Sequence, residues 1–131
     1  AAFKRKQYEE TLAQAHEAAR SEDPALRAEG LLLVGQAQLR LKRYPAALEA
    51  FEAVAAVPGV DPSAQFRALQ GSGTAYEEQQ QWDEALKRYE EIANGRFDAQ
   101  QKRWARERAA AVKARQAAPS RKPIEKTATR S

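Results

Sequence analysis

Few side chains in this 131-residue chain could do covalent chemistry, and they do not converge. His16 is the only histidine and there is no cysteine, so the usual zinc ligands and a thiol nucleophile are both missing. His16 therefore reads as a surface or partly packed group. Gly71-Ser72-Gly73 lies inside a helical pattern and lacks the Lys-Ser/Thr that follows in a phosphate-binding loop. No serine stands beside a plausible histidine partner. Glu77-Glu78 and Glu90-Glu91 are neighbours in sequence, so on a helix each pair diverges instead of converging on a substrate. These carboxylates read as solvated. The expectation is a protein without catalytic residues, cofactor or metal.

The remaining chemistry is charge. Residues 1–95 carry 11 Lys/Arg and 15 Asp/Glu, and residues 96–131 carry 11 and 3, so an acidic body leads into a basic end. Lys102, Arg103, Arg106, Arg108, Lys113 and Arg115 fall in one helical stretch and are expected to face solvent. The plain reading is the wet side of a terminal helix. The alternative is contact with nucleic acid, an acidic membrane surface or an acidic protein surface. Trp104 is the one aromatic interleaved with these cations, which gives little support to stacking on single-stranded nucleic acid.

The elements that hold these groups read as helices throughout. Ala, Glu, Gln, Arg and Leu dominate, and Gly and Pro number six each. No run of 18 apolar residues offers a membrane span. The opening Ala1-Ala2-Phe3-Lys4-Arg5-Lys6 lacks the apolar centre of a signal peptide. With no Met at position 1, the chain reads as an excised or processed domain. Its compartment is left between cytoplasm and bacterial periplasm.

Leu31 to Ala93 repeats itself. Gly35, Tyr44, Ala47 and Phe51 recur 38 residues later as Gly73, Trp82, Ala85 and Tyr89, and Leu31 and Val54 recur as Leu69 and Ile92. A fixed period of this size marks stacked supersecondary units. Within each unit, a glycine suits a close approach of two helices, an aromatic opens the second helix, and a small alanine lets the pair touch. This pattern resembles the tetratricopeptide repeat. Two departures stand out: Ser72 replaces the family's Leu before Gly, and about four extra residues fall in Pro58-Gly59-Val60-Asp61-Pro62.

The expected organisation is a helical domain over residues 1–117 and a basic disordered tail over 118–131. The domain comprises a degenerate helix at 3–20, one repeat at 25–57, a second at 63–94, and a capping helix at 98–117. The expected helix breaks are Pro24, the Lys42-Arg43 turn, the proline-rich linker, and a left-handed stop at Asn94-Gly95. The resemblance implies an all-α, right-handed solenoid of antiparallel helix pairs, about six helices in all, whose first helices line a concave groove.

Carried onto this sequence, the groove positions are Leu32, Gln36, Leu39 and Arg40, then Gln70, Thr74 and Glu77, with Trp104 and Arg108 continuing the surface. Leu32 and Leu39 are expected to form an exposed apolar spot. Some family members grip a C-terminal carboxylate with Lys, Asn and Arg. Leu32, Gln36, Gln70 and Thr74 stand at those positions here, so that mode is not expected. The functional expectation is a protein or peptide binder acting as adaptor or scaffold in a larger assembly. The alanine- and arginine-rich composition suggests a bacterial one. Self-association of the array is a further alternative.

Overall fold

A computed structural model describes residues 2–118, and they form six helices with no strand among the described residues. They are α1 (Ala2–Ala19), α2 (Pro24–Arg40), α3 (Tyr44–Ala55), α4 (Pro62–Glu78), α5 (Trp82–Ala93) and α6 (Ala99–Ala117). The tail expected from 118 onward lies outside the described residues apart from Ala118. No helix of the described residues is long and apolar enough to cross a membrane.

Local chemistry explains the starts. Asp23, Asp61 and Asp98 accept hydrogen bonds from the first free backbone N–H groups of α2, α4 and α6. Asp98 and Gln101 form a reciprocal capping box. Prolines occupy the first turns of α2, α3 and α4, where no intrahelical donor is lost.

Two of the ends are the same device used twice. Lys42 and Gln80, 38 residues apart, both take the left-handed conformation, with φ of 61° and 60°. Behind them Arg43 N–H donates to Gln38 C=O at 2.8 Å, and Gln81 N–H to Tyr76 C=O at 2.9 Å. The stop expected at Asn94-Gly95 is different. Asn94 has φ −103° and Gly95 is not left-handed. Asn94 N–H bonds Glu90 C=O and Gly95 N–H bonds Ile92 C=O, so the helix tightens to its end without a positive φ. Gly95 serves close approach instead: a side chain there would meet the Glu91 carbonyl and the Phe97 ring.

Each helix packs on the next in chain order, and α2 also touches α4. Glu29 pairs with Arg67 and Lys42 approaches Glu78, so α2 and α4 run in the same direction side by side. The glycines mark the contacts. A methyl group on Gly35 would sit 2.6 Å from the Phe51 ring, and one on Gly73 would overlap Tyr89. Gly71 of α4 meets the same Phe51 ring that Gly35 of α2 does. Gly30 lets α2 run against the backbone of Ala18 and Ala19 in α1.

The core has three parts. Leu12, Ala15, Val34, Ala37 and Ala50 join α1 to α2 and α3. Leu32, Ala47, Phe51, Val54, Ala64 and Ala68 join α2, α3 and α4. Tyr89, Ile92, Ala85, Ala105, Ala109 and Val112 join α5 and α6, with Phe66 and Trp104 against them. Alanine recurs wherever two backbones come close, because a larger side chain would hold them apart.

Candidate docking cleft

A cleft of about 750 Å³ opens between α1, α2 and α4. Tyr8 and Thr11 come from α1, and Leu33, Gln36, Leu39 and Arg40 from α2. Arg67, Gln70, Gly71, Thr74 and Glu78 come from α4; Lys42 sits at the turn and Phe51 at the floor. Helix geometry selects these residues. Leu33, Gln36 and Arg40 lie three and four apart on one face of α2, and Arg67, Gln70, Thr74 and Glu78 do the same on α4. From Arg67 to Glu78 the wall is roughly 16 Å long at about 1.5 Å per helical residue.

Five of the nine sequence-derived groove residues line this cleft: Gln36, Leu39, Arg40, Gln70 and Thr74. Four do not. Leu32 is completely buried (0% exposed) among Ala47, Phe51 and Val54, so the exposed Leu32–Leu39 spot does not exist. The reason is that α2 has neighbours in α1, α3 and α4, and its buried surface is wider than one stripe. Leu33, 40% exposed, is the leucine that faces the cleft, while Leu39 is half-buried against the core.

Glu77, Trp104 and Arg108 lie away from the cleft, where α6 meets α4 and α5. Glu77 is not solvated: its side chain is 8% exposed and accepts from Arg108 Nε at 2.8 Å and Arg108 Nη2 at 2.6 Å. The Tyr89 hydroxyl donates to the same carboxylate. Burial, and then this bond to Glu77, raise the Tyr89 phenol above its ordinary value and keep it a neutral donor. The bond to Glu77 likewise raises Arg108. Trp104 packs edge-on against Phe66 and Tyr89, with centroids 5.6 and 5.5 Å away. The three residues thus fasten α6 to α4 and α5.

That fastening should be asymmetric. Arg108→Ala leaves the buried Glu77 carboxylate without its cation and is expected to cost about 2–3 kcal/mol. This is below the usual figure for breaking a buried pair, because the 46% exposed arginine side of the pair admits water. Glu77→Gln keeps an acceptor for Tyr89 and releases Arg108 to solvent, and should cost about 1 kcal/mol. Urea denaturation of both variants checks the order; equal midpoints would mean the carboxylate is not the group at risk.

The other predicted cations of α6 lie mostly at the surface: Arg103, Arg106, Lys113 and Arg115 are exposed and Lys102 is half-buried. Arg115 lies over the Trp82 ring at 5.0 Å. His16 is exposed. Among the described residues no three His, Asp or Glu side chains gather as a metal site. A second cleft of about 540 Å³ on the opposite face of α4 is lined by Glu52, Leu69, Glu91, Arg88, Arg96 and Phe97, among others. Its rim charges balance, and Arg88 is already paired with Glu91 at 3.0 Å.

The sequence reading passed over Tyr8, Thr11, Leu33, Lys42, Arg67 and Glu78. For Arg67 and Glu78 the signal was present, since they continue the Gln70–Thr74 face. For Tyr8 and Thr11 it was not, because nothing in the repeat says which side of α2 the first helix covers. Comparison with known proteins finds no matching family model, no similar curated protein and no similar solved structure.

Proposed function

We propose that this chain is a non-enzymatic interaction module of the tetratricopeptide type, an adaptor or scaffold that takes a peptide or helix of a partner protein in the α1–α2–α4 cleft. The observation that carries the reading is the cleft itself: an open trough along two parallel helices, with apolar, amide and charged side chains on its walls. The 38-residue recurrence of Gly35–Phe51 as Gly73–Tyr89, and of the left-handed Lys42 as Gln80, supports the stacked-pair architecture behind it. Helices packed around shared cores form the trough before any partner arrives, so docking need not order the protein. Mixed apolar and amide walls suit a peptide, whose backbone and side chains need both.

The test is selection of peptides from a random library on the full chain, followed by amide chemical-shift mapping of the bound peptide by NMR. Shifts should concentrate at Gln36, Leu39, Arg40, Gln70 and Thr74. Shifts confined to α6, or selection that yields no binder, would overturn the reading. The exposed cations of α6 favour a second reading, contact with a polyanion, and a steep loss of binding with added salt would reveal it.

A further inference from the structure

The cleft is a cationic site on an acidic body. Of the fifteen acidic residues in 1–95, Glu78 alone lines it, whereas three of the eleven Lys/Arg do: Arg40, Lys42 and Arg67. Their engagement differs. Arg67 is held at 3.0 Å by Glu29, beside the cleft. Lys42 is only 4.0 Å from Glu78 and its side chain is 74% exposed, while that glutamate also accepts from the Tyr44 hydroxyl at 2.9 Å. Among the described residues no carboxylate lies within ion-pair distance of the exposed Arg40. The unspent positive charge is therefore gathered at one end of the trough, where α2 stops.

Toward the middle, Gln36 of α2 and Gln70 of α4 bring carboxamides, which can donate and accept at once as an extended peptide backbone requires. Leu33 and Leu39 add apolar surface beside them. The aromatic lining is limited to Tyr8 and the buried Phe51, too little for successive bases to stack.

From this the geometry points to an acidic peptide segment with an apolar anchor as the occupant. Its carboxylates meet Arg40 and Lys42, its backbone meets Gln36 and Gln70, and its apolar side chain rests on Leu33 and Leu39. This inference rests on the docking reading above and names the partner's chemistry. Such complementarity sets partner choice more than raw affinity, since rim charges stay wet.

The experiment selects random peptides of about twelve residues, enough to cover the trough with flanks, on the full chain and on its Arg40→Glu/Lys42→Glu variant. Both substituted side chains are exposed, and circular dichroism verifies that the variant folds. Peptides that shift cleft amides of the parent should be enriched in Asp and Glu around one apolar residue. They should bind the variant about tenfold or more weakly, and the variant should instead select Lys- and Arg-bearing peptides. Cleft-bound peptides without acidic enrichment, or equal binding to the variant, would overturn this inference and leave the docking reading standing. Tighter binding of a single-stranded oligothymidylate at the same amides would also overturn it, in favour of nucleic acid. A library that yields no peptide at the cleft removes both.

Discussion

Replacing Ala85 by glutamate is expected to leave most of the chain unfolded at room temperature, and Ala47→Glu to do the same. Both alanines have no exposed surface. Ala85 sits among Tyr89, Ile92 and Ala105, and Ala47 among Leu32, Phe51 and Val54. A carboxylate at either site would be stripped of water among apolar side chains, at a cost of several kcal/mol. Overpacking adds about 1–3 kcal/mol. Together these rival the whole stability of a small domain, about 5–15 kcal/mol.

The charge part carries its own signature. Burial raises the carboxyl pKa of the folded variant above the unfolded value. Stability is then greatest at low pH, where the group is neutral, and is lost as pH rises through the raised pKa. Acidifying toward pH about 4, the ordinary carboxyl range, should restore part of the folded signal in circular dichroism. Ala110→Glu, at an exposed site on α6, should melt within a few tenths of a kcal/mol of the parent. If Ala85→Glu melts with it, Ala85 is not where two helices touch.

How far the fold could be read from the chain depends on what kind of contact fixed each feature. Helix breaks were legible because their signals are local: Pro24 and Pro62, at the end of the linker, each stand in the first turn of the helix they begin. The pairing of α2 with α3 and of α4 with α5 was legible because it leaves the same glycine-to-aromatic spacing twice. Lateral placement was not. Leu32 and Leu33 are equally apolar, and only the placement of α3 and α4 against α2 decides that the first is buried and the second open.

Polarity misled in the opposite direction at Glu77. A glutamate beside another glutamate looks solvated, yet an arginine 31 residues later makes its burial tolerable, and sequence spacing carries no record of that bond. The cleft stood in between. Gln36, Arg40, Gln70 and Thr74 followed from carrying the family resemblance onto α2 and α4, whereas Tyr8 required knowing where α1 lies.

The second large effect concerns Phe51, the ring on which two repeats of the pattern meet. Phe51→Ala is expected to cost about 3–5 kcal/mol, because the ring is 1% exposed and its loss leaves a large void between α2, α3 and α4. The more telling result comes from the glycines. In the parent, Gly71→Ala and Gly35→Ala each place a methyl group inside contact distance of the ring, from α4 and from α2. The ring cannot retreat from one glycine without meeting the other, so each substitution should destabilise by about 1–3 kcal/mol. This outweighs the roughly 1 kcal/mol that alanine gains over glycine inside a helix. In the Phe51→Ala background the obstacle is gone and the helix preference remains. Both glycine substitutions should then become stabilising by up to about 1 kcal/mol, a reversal of sign that a double-mutant cycle in urea reads directly. Additive costs in the cycle would mean that α2 and α4 are held apart by something other than this ring. The same test at Gly73 with Tyr89 is complicated by the hydroxyl bond to Glu77, which is why the cleaner measurement lies at Phe51.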